Sequence, residues 1–402
     1  MREADAVQET GSGKTGHEEL LRERVAALLD RHDPGGDRLE WLRARFDAGL
    51  AWVWFPEGLG GLGLPRELQQ VVESELAHTP QLDTGVQGIG LGMAAPTILA
   101  FGTEAQKRRF LRPLWTGEEI WCQLFSEPGA GSDLATLATR AVRDGDEWVV
   151  DGQKVWTSGA HHSRWAILVA RTDPAVPKHR GMTYFVCDMH APGVEVRPLR
   201  QITGEAEFNE VFLTGVRLPD DLRLGEVGDG WRVAQTTLMN ERVAIGGAPV
   251  RQGGGMAGAV LDTWRAHPEL RTHDLHQRLL ELWVEAEVTR LSGARLREQL
   301  AAGQPGPEGS GMKLSFARLN QALSGLDVEL RRDLGYDDWT FRRSDTVDFY
   351  GRGPGYRYLR AKGNSIEGGT SEILRNIIAE RVLGLPAEPR ADKDVPWKDL
   401  PR

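Results

Sequence analysis

The sequence predicts an α+β protein: an N-terminal helical domain, a central antiparallel β domain and a C-terminal helical bundle. Three observations lead there. Apolar residues recur at spacings of three and four up to about residue 117, the mark of amphipathic helices. Between 118 and about 225 the pattern shortens to β-rich runs broken by tight turns, and from Trp231 the helical period returns. Helices, then strands, then helices, with no βαβ alternation and no internal repeat, is an α+β layout. A length of 402 residues also exceeds what one hydrophobic core usually holds.

The elements follow in order. Residues 1–17 are polar and acidic with no apolar stretch, which predicts a disordered tail rather than a secretory signal. Within them Gly13-Lys14-Thr15 imitates the end of a phosphate-binding loop, but Gln8 stands where that loop needs glycine and no strand precedes it. In the helical domain, 18–117, Leu20, Leu21, Val25, Leu28 and Leu29 form one apolar face. The glycine-rich run Phe55–Pro65 breaks the helices, and Thr103–Leu114 is amphipathic again. In the β domain, 118–225, strands are expected at Glu147–Trp156, Trp165–Ala170, Met182–Cys187, Val194–Pro198 and Glu210–Leu213. The C-terminal domain, 226–386, carries helical patterns over Val233–Val250, Leu275–Leu300, Met312–Leu334 and Ser371–Leu383, with a flexible connection at Gln304–Gly311. Residues 387–402 read as a charged, proline-bearing tail.

Acidic side chains outnumber basic ones, 58 to 49, for a net charge of −9. That balance disfavours nucleic acid or an anionic membrane surface as partner. It leaves room for an anionic small molecule held by local cations or backbone N–H groups. Two cysteines, Cys122 and Cys187, cannot form a disulfide framework or a cysteine-only zinc site, and no metal is expected. They fit a reducing cytoplasm, and no apolar run reaches the roughly eighteen residues of a membrane span.

Four clusters carry chemistry. In Phe125-Ser-Glu-Pro-Gly-Ala-Gly-Ser-Asp-Leu-Ala135, glycines let backbone N–H groups approach a ligand while Ser126 and Ser132 add hydroxyls. Lys154-Val-Trp-Thr-Ser-Gly159 sets an aromatic face beside hydroxyls at a strand end, as a flat heterocycle requires. Asn240-Glu-Arg-Val-Ala-Ile-Gly-Gly247 places Glu241 on an apolar helix with Ile245, not a cation, four residues on. Ser365-Ile-Glu-Gly-Gly-Thr-Ser-Glu-Ile-Leu-Arg375 is a Gly-Gly turn with Thr370 as N-cap, a candidate ribose or anion site. The residue types alone indicate a ligand site and a carboxylate base without naming a reaction.

In order and wording these clusters resemble the acyl-CoA dehydrogenases, and the likeness runs from about residue 20 through Ile377-Ile-Ala-Glu-Arg-Val-Leu-Gly-Leu-Pro386. The resemblance implies the same helix–sheet–helix fold, non-covalent FAD, and removal of hydrogens from Cα and Cβ of an acyl-CoA. By it, Gln123, Phe125, Ser126, Gly131 and Ser132 line the flavin, with Ser132 also near the pantetheine arm. Trp156 packs on the isoalloxazine, with Thr157 beside it and Ser158 near N5, where the hydride arrives. Gly369, Thr370 and Glu372 meet the ribose and adenine, Arg242 supports the thioester pocket, and the Gly368 N–H polarises the thioester carbonyl.

Two departures from the common pattern matter. Many members carry the base immediately before a single Gly-Thr at the last turn, where this chain has Gly368; Glu367 is one residue earlier. A smaller group takes its base from the middle helix in a Glu-Arg pair matching Glu241-Arg242, so Glu241 is the expected base and Glu367 the runner-up. Water exclusion raises such a glutamate toward neutrality. The family runs that reach FAD across a subunit interface are replaced by His267-Pro-Glu-Leu-Arg271 and Asp333-Leu-Gly-Tyr-Asp-Asp338. These features resemble a bacterial subgroup that includes steroid side-chain enzymes, and imply a homodimer, homotetramer or heterotetramer donating electrons to an electron-transfer flavoprotein. The alternatives are an oxygen-using relative, oxidase or monooxygenase, and a non-catalytic subunit of a heteromer.

Overall fold

A computed structural model of the protein describes residues 2–82, 84–246, 251–301, 307, 309–331, 353–390 and 392–400. The chain divides into two compact units: Met1–Trp121 with Ser163–Trp165, and Cys122–His162 with Ala166–Arg402.

The first unit is helical: α1 (Arg2–Arg31), α2 (Arg38–Asp47), α3 (Gln69–Glu75), α4 (Thr84–Ile89), α5 (Ala95–Phe101) and α6 (Glu104–Thr116). The first helix begins well inside the segment expected to be a tail, because residues such as Glu, Ala, Gln and Arg sustain helix. Its buried stripe is Leu21, Val25 and Leu28; Leu20 and Leu29, placed on the same face by spacing, are exposed instead. Thr103 opens α6 with a reciprocal capping box: it accepts from the Gln106 N–H and donates its own to Gln106 Oε1. The glycine-rich break folds against Phe46, Trp52, Phe55 and Trp115, and a side chain at Gly61 would strike the Phe55 and Trp52 carbonyls.

In the second unit a sheet leads. It comprises β1 (Trp121–Leu124), β2 (Arg140–Asp144), β3 (Glu147–Ser158), β4 (Trp165–Arg171), β5 (Met182–Asp188), β6 (Val194–Leu199), β7 (Phe208–Pro219) and β8 (Arg223–Leu224). Their order is β6-β7-β3-β2-β4-β5-β8, with β1 on β4. The expected antiparallel sheet is in fact mixed: β2–β3, β3–β7, β6–β7 and β5–β8 are antiparallel, but β2 meets β4 in parallel at Arg140 and Arg171. The chain reverses twice between those strands, which restores the original direction. Val150, Leu168, Phe185, Val211 and Leu213 fill the core beneath.

Helices α7 (Gly230–Gly246), α8 (Gly255–Ala266), α9 (His273–Ala301), α10 (Gly309–Arg331), α11 (Pro354–Ala361) and α12 (Ser371–Ile377) follow. Helix α10 is the hub, packing on α7, α8, α9, α11 and α12 with Leu319, Leu323, Leu326 and Leu330 inward. The expected continuations of α7 through 247–250 and of α10 through 332–334 lie outside the described residues, as do Asp333–Asp338 and half of the Gln304–Gly311 connection, whose last three residues instead begin α10. Among the described residues no helix is long and apolar enough to cross a membrane.

Candidate active site

The loop after β1 is built around one buried ion pair. Lys154 on β3, fully buried, donates its three N–H bonds to Glu127 Oε1 at 2.8 Å, the Phe125 carbonyl at 3.0 Å and the Val169 carbonyl at 2.9 Å. Glu127 also accepts from the Ala138 and Thr139 N–H groups at 2.6 and 2.9 Å. Burial pushes the Glu127 carboxyl up, but the Lys154 charge and these donors outweigh it and hold the group below the usual carboxylate range. The Val155 N–H donates to the Ser126 carbonyl at 2.9 Å, so loop and strand are tied twice. Gly131 and Ser132 are exposed on the loop's crest, and their N–H groups bond to none of the described residues.

Two residues beyond Lys154 the backbone turns over. Trp156 has φ 61°, the one non-glycine residue in the left-handed region among those described, where the strand register shifts between Lys154 and Thr157. Such a conformation costs an L-residue free energy and persists only where neighbours enforce it. It leaves the indole 57% exposed. Thr157 is buried with its hydroxyl unpaired among the described residues, and Ser158 is half-buried beside it. An exposed indole plate flanked by hydroxyls, on a strand tied to a loop whose Gly131 and Ser132 N–H groups bond to none of the described residues, fits a flat heterocycle carrying phosphates, as a flavin nucleotide is.

The last turn is held as firmly. Gly368 (φ 63°) and Gly369 (φ 99°) both take left-handed backbone, which explains the glycine pair. Lys313 on α10, buried, donates to the Gly369 carbonyl at 2.7 Å, and Thr370 accepts from the Ile373 N–H to cap α12. That helix is only seven residues long, so its dipole adds little to the anion site expected from its start. The Gly368 N–H bonds to none of the described residues. Glu367 is occupied: Arg360 grips both its oxygens at 3.1 and 2.8 Å, and Asn364 donates to it at 2.6 Å. Glu372 is exposed, with Arg375 3.8 Å away.

Contacts within this unit join all four clusters. The Trp156 ring lies 6.0 Å from Phe208, whose ring in turn lies 5.8 Å from the Arg360 guanidinium that holds Glu367. On the other side, Phe125 meets Tyr184 edge-on at 5.8 Å, and Tyr184 Oη bonds Thr237 Oγ1 on α7 at 2.8 Å. Glu241, half-buried, lies four residues on, one turn along the same helix face. The Arg242 side chain lies outside the described residues, and Gln123 is half-buried on β1. Arg271, just past the end of α8, is turned back onto that helix, donating to the Trp264 and Arg265 carbonyls at 3.2 and 3.1 Å. Sequence reasoning missed the fasteners Lys154, Glu127, Lys313 and Arg360.

Comparison with known proteins identifies the class. The chain matches the N-terminal, middle and C-terminal domains of the acyl-CoA dehydrogenases over residues 15–118, 122–216 and 228–383. It is 39% identical over 361 residues to the acyl-CoA dehydrogenase IpdE1 of Mycobacterium tuberculosis, covering 89% of this chain and 90% of that one. It is 42% identical over 346 residues to the acyl-CoA dehydrogenase FadE34 of the same organism, covering 85% of this chain but 45% of FadE34, so it spans about half that relative's length. A solved structure described as the Tcur3481-Tcur3483 steroid ACAD superposes with TM-score 0.71 at 27% identity, over 92% of this chain and 97% of that one. The chain belongs to the acyl-CoA dehydrogenase family, whose members are flavoprotein oxidoreductases.

Proposed function

We propose that this enzyme binds FAD and dehydrogenates an acyl-CoA thioester between Cα and Cβ, with Glu241 as the base. The observation that carries the reading is the continuous set of contacts linking Phe125, Trp156, Glu367 and, through Tyr184 and Thr237, the helix of Glu241. Phe125, Ser126, Gly131, Ser132, Trp156 and Ser158 would hold the flavin, with Gly369, Thr370 and Glu372 toward its ribose and adenine. Bound FAD supplies the hydride acceptor. The Gly368 N–H, unpaired among the described residues, donates to the thioester carbonyl and acidifies the α-carbon, and Glu241 takes the α-proton. Glu367, gripped by Arg360 and Asn364, stays in its turn, which favours Glu241 between the two carboxylates. Arg242 steadies the thioester pocket.

Electrons leave to an electron-transfer flavoprotein, and the protein works in the cytoplasm as a homodimer, homotetramer or heterotetramer. Steroid side-chain thioesters are the first substrates to try, since one matched structure is described as a steroid ACAD. The test is the visible spectrum of the purified protein and its anaerobic bleaching by a panel of acyl-CoA thioesters. A protein that neither carries nor takes up FAD contradicts the reading.

A further inference from the structure

The sequence reads residues 387–402 as a charged, proline-bearing tail, and Asp392–Leu400 of that tail lies along the β domain. The Trp397 N–H donates to the Val176 carbonyl at 2.9 Å and the Lys398 N–H to that of Pro174 at 3.0 Å, while Pro396 pairs with Pro177 as a single antiparallel rung. Two side chains carry the contact to the loop that follows β1. Trp397 Nε1–H donates to the Thr136 carbonyl at 3.0 Å, and its ring covers the Arg171 guanidinium, 4.9 Å from the centroid. Asp392 accepts from Lys178 Nζ, which also donates to Asp133 Oδ2.

Arg171 and Lys178 are themselves fasteners of that loop. Arg171, buried, donates to the carbonyls of Ala135 at 2.5 Å, Leu137 at 3.3 Å and Lys178 at 2.7 Å. Removing the Trp397 ring would let water compete for those three acceptors. Removing Asp392 would leave Lys178 with one carboxylate partner. The loop is thus held from two sides, by Lys154 and Glu127 from within the sheet and by this segment from outside.

We infer that Asp392–Leu400 is a strap, and that Trp397 and Asp392 are positioning residues that hold the Ser132–Thr136 stretch in the shape that retains FAD. The inference rests on the FAD reading above. It acts through Arg171, Lys178 and Thr136, and neither strap residue need touch the cofactor.

The test compares the full chain with Trp397→Ala, Trp397→Phe and, as a control on an exposed strap side chain, Lys398→Ala. Two rates are read: amide hydrogen exchange over residues 126–139, and release of FAD from the loaded protein. Trp397→Ala should quicken both about fivefold, the scale of one lost hydrogen bond and ring contact. Trp397→Phe, which keeps a ring over Arg171, should recover part of each, and Lys398→Ala should change neither. Unchanged exchange in Trp397→Ala overturns the strap. Faster exchange with unaltered FAD release overturns the positioning role. A parent chain that binds no FAD overturns the FAD reading and the positioning role with it, while exchange still reports whether the strap grips the loop.

Discussion

Lys154 and Glu127 meet at 2.8 Å with both side chains buried, and that pair fastens the glycine-serine loop after β1 to the strand that presents Trp156. Two stretches that read as separate motifs are therefore one mechanical unit. Lys154→Met would leave Glu127 with its backbone donors but without its hydrogen-bonded counter-charge, and breaking a buried pair from one side costs about 3–5 kcal/mol. Urea unfolding of the variant checks this. A loss below about 1 kcal/mol, the scale of an exposed pair, would contradict it.

The same pair sets an acid limit. Glu127 has a folded pKa below its unfolded value, so its stabilisation is complete above the unfolded carboxylate range, near pH 4.3. It is lost as pH falls through the folded value. Near-UV circular dichroism and flavin release followed from pH 7 downward should therefore stay flat on this account until below about pH 4. Release beginning near pH 6 would point to a different group.

Trp156 makes a trade that substitution can separate. Alanine at φ 61° keeps the backbone strain and loses the plate; glycine loses both. Trp156→Gly should be more stable than Trp156→Ala by about 1 kcal/mol, the usual scale of left-handed strain. Both should bind FAD at least about tenfold more weakly, the cost of a lost aromatic stack of a kcal/mol or more. Thermal unfolding and flavin titration of the two variants give the comparison. Equal stability would place the strain elsewhere.

What could be read from the sequence follows from where the information lies. Strands β3 through β7 were legible because each carries its own signal, alternation in β3, β6 and β7 and an unbroken apolar run in β4 and β5, with turn residues between them. Strand β1 is four residues long, β8 is two, and β2 is mostly exposed and charged, so none of them alternates long enough to register. Helix α8 hides behind Gly253–Gly255, and α11 is eight residues starting on Pro354-Gly355. In the site, hydroxyl and glycine clusters stood out because their members are adjacent in sequence. Lys154 did not, since its partner Glu127 is 27 residues away, and Lys313 bonds a carbonyl 56 residues on. A lysine in a strand or helix normally reads as a solvated position, and only the fold shows it to be buried. The strap was missed for the same reason: proline and charge suggest a tail, while Trp397 finds Thr136 across 261 residues.

In the proposed mechanism Glu367 and Glu241 divide the two carboxylate roles. Arg360 and Asn364 hold Glu367 as a brace of the Gly-Gly turn, so Glu367→Gln should loosen that turn, raising KM several-fold while leaving the reductive rate within about tenfold. Steady-state kinetics at several acyl-CoA concentrations separates the two parameters. A pure loss of rate with KM unchanged would give Glu367 a chemical role.

The most direct measurement is stopped-flow bleaching of bound FAD, without oxygen, in Glu241→Gln mixed with a thioester that the parent enzyme oxidises. Glutamine is nearly isosteric and keeps hydrogen-bonding capacity, so folding and FAD binding should persist. It cannot take the α-proton, and bleaching should slow by about a hundredfold or more, the range for losing a positioned base. A near-parental rate in Glu241→Gln, with collapse in Glu367→Gln measured alongside, would contradict the assignment and move the base to the last turn.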